Sequence, residues 1–158
     1  IDGNIGYTGG TNLADEYANI YPKYGHWKDT AIRLEGDAVW SLTVTFLQMW
    51  ETENRKQENY CQYQPTVNIP GDGFYQPFSD GPVNNPHNPA ETTYRQLISN
   101  AREYVYITTP YLVIDDAMAE TLSTVAKAGT DVRIITPKIY DHWYVHMVTR
   151  SNYGRLME

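Results

Sequence analysis

The chain carries one cysteine, Cys61, among 158 residues. No internal disulfide can form, which fits a reducing compartment. It has no unbroken apolar run near the roughly 20 residues that a membrane span needs. The longest candidate, Tyr104 to Ile114, is interrupted by Thr108, Thr109 and Pro110. No secretory leader pattern is read. Positive charge is scarce, with 12 Lys and Arg against 19 Asp and Glu and a net charge of −7. That argues against nucleic-acid binding, which relies on basic patches, and gives no help in docking to an anionic membrane. Charged residues are 20% and hydrophobic ones 41%. This balance predicts a globular fold rather than disorder, with length for one core or for parts of two.

What is present begins at the first residue. Ile1-Asp2-Gly3-Asn4-Ile5-Gly6-Tyr7 reads as the end of a strand, a turn at Asp2-Gly3 and a return strand. An Asp-Gly pair between apolar residues is a strong turn signal. Gly9-Gly10 then permits close backbone approach. Thr11 and Asn12 follow, with side chains suited to phosphate oxygens or to a helix cap.

Further along, a short helix is expected over Leu13 to Ala18 with Asn12 as its cap, then an irregular aromatic loop to Asp29 and a strand from Ala31 to Leu34. Gly36-Asp37 opens a helix to about Glu53, in which Val39, Leu42, Phe46, Met49 and Trp50 recur at helical spacing. Residues 51–73 turn polar and read as a linker. A strand is expected over Phe74 to Ser79. Asn88, Pro89 and Glu91 match a capping box, and Tyr94, Leu97, Ile98 and Ala101 form the buried stripe of the helix that follows. Tyr104 to Thr109 and Asp131 to Thr136 read as strands joined by a helix that Asp115 or Asp116 caps and Gly129 ends. Such a βαβ unit has parallel strands. Asp141 to Glu158 reads as helical with a break near Gly154. Ligands gather at the carboxyl ends of parallel strands, which singles out Thr108, Thr109, Tyr111 and Thr136. The tyrosines and tryptophans read as packing residues, Trp27 and Trp50 as core.

Four histidines are available for chemistry. His26-Trp27-Lys28 lacks an aspartate at the matching position, where Arg33 stands. His87, His142 and His146 have no lysine two residues on. His142 and His146 share a helical face but bring no third ligand, so no metal is expected.

The spacing from Asp2 resembles the phospholipase D superfamily, whose motif is His-x-Lys-x4-Asp, six residues, then Gly-Gly (or Gly-Ser)-x-Asn. Asp2 matches the motif aspartate, and Gly9, Gly10, Thr11 and Asn12 match the tail. The motif's histidine and lysine would lie before residue 1. Later stretches are similar to the bacterial cardiolipin synthase branch. Trp27-Lys28-Asp29, Leu34-Glu35-Gly36, Val39, Phe46 and Trp50 resemble the part after the first motif. Gly81-Pro82 resembles a Gly-Pro-Asp turn with Val83 in place of Asp. Thr109-Pro110-Tyr111 resembles Pro-Tyr-Phe-x-Pro-Asp, with Leu112 and Ile114 as departures. Gly129 to Pro137 resembles the strand before the second motif, and Asp141, Arg150-Ser151 and Tyr153 to Leu156 resemble its final helix.

The resemblance implies an α/β fold, a phospholipase D-like mixed sheet flanked by helices, present as parts of two pseudo-symmetric halves. Residues 1–72 would be the C-terminal part of the first half plus a linker, and 73–158 the N-terminal part of the second. The implied parent reaction converts two phosphatidylglycerols into cardiolipin and glycerol through a phosphohistidine, with no cofactor. Asp2 would support its motif. Gly10, Thr11 and Asn12 would bind phosphate, Thr109 and Tyr111 would line the site, and Glu16 and Asp29 are candidate orienting groups. The parent would sit at the cell membrane through segments outside this chain. The piece itself would be inactive and soluble, and would self-associate through unpaired strand edges. A phospholipase D-type hydrolase and a non-catalytic binding domain are the alternatives.

Overall fold

A computed structural model describes residues 1–71, 73–81 and 87–157. The chain is α/β and forms two compact units, Ile1–Ser79 and Asp80–Glu158. The expected boundary after residue 72 adjoins Asp72, and the expected Gly81-Pro82-Val83 turn runs into Pro82 and Val83. All three lie outside the described residues.

In the first unit, Asp2 and Gly3 take φ of 51° and 70°, and the Asn4 amide donates to the Ile1 carbonyl at 3.0 Å. Two positive φ angles are what a tight two-residue turn demands. Gly3 is required for a second reason, since a Cβ there would lie 2.3 Å from the Tyr63 carbonyl oxygen. Strand β1 (Ile5–Gly9) follows and pairs antiparallel with β2 (Ala31–Glu35), from Ile5 opposite Glu35 to Gly9 opposite Ala31. Ile1 itself is not in a strand.

A short 3-10 turn, Gly36–Ala38, leads into α1 (Val39–Asn54). Its β-branched run is accommodated because Thr43 and Thr45 donate to the carbonyls of Val39 and Ser41. Val39 and Leu47 are buried, whereas Phe46, Met49 and Trp50 are exposed. The helical period is therefore right, and Trp50, expected in the core, is instead exposed. Residues 55–69 are not a free linker. The Glu51 carboxylate accepts from the Glu58 amide and the Tyr60 hydroxyl, and Asn4 accepts from the amides of Thr66 and Val67 at 2.7 and 3.2 Å.

Two expected elements are absent. Residues 15–19 form turns, with Ala14 accepting from Tyr17 and Ala18, so Asn12 caps no helix and Leu13 is fully exposed. Phe74 to Ser79 contains no strand; an apolar pair with no ladder partner leaves its backbone to water.

The second unit is the expected βαβ unit. Strand β3 (Tyr104–Thr108) runs parallel to β4 (Asp131–Ile135), with Tyr104 opposite Asp131 and Thr108 opposite Ile135. The preceding helix, α2 (Pro89–Asn100), is capped differently from the expectation. Asn88 takes a left-handed φ and bonds the Glu91 side chain, while Asp80 accepts from the Ala90 amide at 2.8 Å. Helix α3 (Asp116–Lys127) is capped by Asp115, which accepts from the Met118 amide at 2.8 Å, and ends at Gly129 with φ 103°. Helix α4 (Trp143–Met157) runs unbroken through Gly154.

Alternation in the strands sends Val105, Ile107, Val132 and Ile134 to one face, against Ile98, Leu122 and Val125. Each fully buried aliphatic side chain there contributes about 1.5–3 kcal/mol. Tyr94 and Leu97, expected in the stripe with Ile98, are exposed.

Candidate functional site

The hairpin geometry decides where the candidate phosphate ligands lie. Strand β1 ends at Gly9, so Gly10, Thr11 and Asn12 emerge as an exposed loop at that end. Asp2 sits at the other end, about 17 Å away by the rise of five strand residues. The structure does not bring Asp2 and the loop together, and Asp2 serves the turn. The loop is tied to β2 at its root, where the Gly10 amide donates to the Thr30 carbonyl at 3.1 Å.

Both glycines are under close constraint. A Cβ on Gly9 would lie 2.4 Å from the Thr30 oxygen, and one on Gly10 would lie 3.3 Å from an Asp29 carboxylate oxygen. Asp29 is in turn held by the Trp27 indole N–H at 2.9 Å. Trp27, half-buried, packs edge-on against Tyr17. Asp29 thus stands beside the loop. Glu16 instead pairs with Lys23 at 3.5 Å. Its carboxyl is held below the usual range, first by a backbone hydrogen bond and further by Lys23.

In the second unit, Thr109 and Tyr111 follow the carboxyl end of β3. The Thr109 hydroxyl donates to the Tyr111 carbonyl and accepts from the Tyr111 amide. Both residues line a groove of about 970 Å³ together with Tyr94, Leu97, Tyr106 and Val113. The Tyr111 phenol donates to Asp141, whose other oxygen accepts from the His142 amide. One residue on, the Leu112 peptide is gripped at both polar atoms. Its N–H donates to the buried Thr149 hydroxyl at 3.0 Å, and its carbonyl accepts from Asn152 at 2.9 Å. Thr136, expected near the site, shares a hydrogen bond with Tyr153 at 2.6 Å. Asp141 and α4 therefore fix the segment that carries Thr109 and Tyr111.

Sequence reasoning missed Asn4 as a latch and Thr149 and Asn152 as a clamp. A polar residue beside Asp-Gly reads as turn chemistry, and nothing local shows that a helical threonine is the buried one. The spacing of Thr149 and Asn152, three residues apart on one face, was the available signal.

His26 and His87 are exposed. His142 and His146 do not converge: His142 lies against Tyr111 and Tyr144, and His146 against Tyr140. Among the described residues no group of three or more His, Cys, Asp or Glu could hold a metal ion, and no helix is long and apolar enough to cross a membrane.

Comparison with known proteins covers the whole chain. Residues 94–158 match the family described as "Cardiolipin synthase, PLD-like domain". A cardiolipin synthase 2 of Staphylococcus epidermidis is 36% identical over 160 aligned positions, covering 100% of this chain and 33% of that protein. A cardiolipin synthase of Listeria monocytogenes is 33% identical, again covering 100% of this chain and 33% of the relative. An uncharacterized protein of Streptococcus mutans is 44% identical, covering 89% of this chain and 31% of its own length. The chain thus spans about a third of the length of the curated relatives it matches. The match over residues 94–158 and these similarities over the whole chain support a member of the phospholipase D superfamily close to cardiolipin synthase.

Proposed function

We propose that this chain is part of a membrane phosphatidyltransferase that joins two phosphatidylglycerol molecules into cardiolipin and releases glycerol. The phosphatidyl group passes to a histidine outside residues 1–158 with release of glycerol, and then to the free glycerol hydroxyl of the second phosphatidylglycerol in preference to water. The two units would be the back of one phospholipase D-like half and the front of the next. In this reading Gly10 lets backbone approach the phosphate, and Thr11 and Asn12 supply side-chain donors. Preorganised donors aimed at developing charge are among the larger catalytic contributions. Asp2 holds the hairpin turn that sets where the loop emerges. Thr109 and Tyr111 line the wall that meets the headgroup.

The observation that carries this reading is the similarity of the whole chain to a third of each of two cardiolipin synthases. The exposed loop at the end of β1, with Asn12 capping no helix, supports it. The test exchanges the matched third of the S. epidermidis relative for these 158 residues and incubates the chimera with phosphatidylglycerol vesicles. Cardiolipin and glycerol in equal amounts support a transferase. Phosphatidic acid and glycerol, formed with consumption of water, would mean a hydrolase. The 158 residues alone should give neither product. Turnover by them alone, abolished by replacing one of their own four histidines, would overturn the assignment.

A further inference from the structure

Helix α4 is built the wrong way round for a helix facing water. Its one fully buried residue is Thr149, at 0% exposure, while Trp143, Tyr144, Met147 and Val148 are 66%, 56%, 58% and 45% exposed. Positions 143, 144, 147 and 148 fall within one arc of about 140° on a 3.6-residue helix. An apolar stripe of that width ordinarily faces a core. Here Thr149 and Asn152 turn inward to engage Leu112, beside Leu156, which packs on the core. Just before the helix Ile139 and Tyr140 are also exposed, with the Tyr140 ring against His146.

The charge of this stretch identifies what covers it. Residues 143–157 contain Arg150 and Arg155 and no carboxylate. Just before the helix stands exposed Lys138. The only acid there, Asp141, has a side chain 7% exposed and accepts from Tyr111. Arg155 is paired with the exposed Asp116 carboxylate at 2.6 Å, at the far end of the helix from Trp143. In a chain of net charge −7, the apolar first half of α4 is thus flanked by Lys138 and Arg150, with no carboxylate of its own on the helix. Tryptophan and tyrosine favour the boundary between headgroups and acyl chains, and each nearby Lys or Arg favours an anionic leaflet. Remote carboxylates matter little, because salt screens them beyond about 10 Å.

We propose that the first half of α4, with Ile139 and Tyr140, docks on a lipid–water interface containing anionic phospholipid. The helix lies along the surface and does not cross it. This inference goes beyond the transferase reading and is tested without turnover, so either can fail alone.

The test floats the 158-residue chain with vesicles of phosphatidylcholine, with and without phosphatidylglycerol. Binding should appear with phosphatidylglycerol and weaken in high salt. Trp143→Ala with Tyr144→Ser should weaken partitioning by roughly tenfold or more. Trp143→Phe, which keeps an apolar ring, should still bind. Brominated lipid should quench part of the wild-type tryptophan emission, and Trp143→Phe should lose that quenched part. The quenching comparison stands even if the double variant fails to fold. No flotation with phosphatidylglycerol, or unchanged quenching in Trp143→Phe, would overturn the proposal. So would concentration-dependent dimerisation removed by the double variant in a chain that does not bind vesicles; the face would then be a contact between copies.

Discussion

Replacing Thr149 by valine should loosen the candidate headgroup wall more than its size suggests. Thr149 is fully buried, and its hydroxyl accepts the Leu112 N–H at 3.0 Å, with Leu112 only 4% exposed. Valine keeps the branched shape and removes the acceptor. A buried amide stripped of its partner costs about 1–3 kcal/mol. The Asn152 bond to the Leu112 carbonyl does not compensate, because it serves the other end of the peptide. A loss of about 2 kcal/mol lowers the midpoint of a 60–100-residue domain by roughly 8–16 °C. Thr149→Ser keeps the acceptor and loses one buried methyl, about 0.8 kcal/mol, so serine should lie between valine and wild type. Thermal unfolding followed by far-ultraviolet circular dichroism gives the ranking. Hydrogen exchange at the Leu112 amide gives the cause, with protection lost in valine and kept in serine. A valine variant within about 0.5 kcal/mol of wild type, with Leu112 still protected, would show that the clamp contributes nothing.

Three further outcomes are expected. In the chimera, Asn12→Ala should lower turnover about 10²–10³-fold with the melting midpoint nearly unchanged; a lowered midpoint with normal turnover would remove Asn12 from the site. Gly9→Ala should cost roughly 1–3 kcal/mol in urea unfolding, because its Cβ would meet the Thr30 carbonyl at 2.4 Å and β1 and β2 would have to part. Asp131 is held below its ordinary value near 3.8, first by the Arg133 guanidinium and then by the Tyr106 hydroxyl. A depressed carboxylate stabilises the fold above its unfolded pKa and loses that effect as pH falls through its folded value. Asp131→Asn should therefore melt slightly below wild type at neutral pH, with the gap closing in acid; a gap independent of pH would refute the pairing.

Sequence reading succeeded where the signal is local and chemical. Asp2-Gly3, Asp115, Gly129 and the alternation in Tyr104–Thr108 and Asp131–Ile135 each act within a few residues, and the structure follows them. It failed where a distant partner decides. Asn12 looked like a cap, but residues 13–18 have too few apolar anchors to hold a helix. Asp80, not Asn88, satisfies the first turn of α2 from ten residues before Ala90. The polar run after Glu51 looked like a linker because Asn4, more than 60 residues away along the chain, is what fastens Thr66. For the site, Gly10-Thr11-Asn12 was legible as a loop, while the support of Tyr111 and Leu112 by Asp141, Thr149 and Asn152 was not.

The exposed apolar residues of the two units call for different partners, and flanking charge separates them. Phe46 and Trp50 stack on α1 at 6.0 Å, exposed together with Met49. That helix carries Glu51 and Glu53 and no Lys or Arg. An anionic leaflet would repel it, so its stripe suits protein contact, which its helical period already implies. Helix α4 carries two arginines and no carboxylate of its own, although Arg155 pairs with Asp116 of α3, and its Thr149 and Asn152 turn inward to Leu112. The same apolar exposure thus points to protein at α1 and to lipid at α4. Vesicle flotation of Phe46→Ser beside the Trp143 and Tyr144 double variant separates the two, since only the α4 change should release the chain from phosphatidylglycerol vesicles.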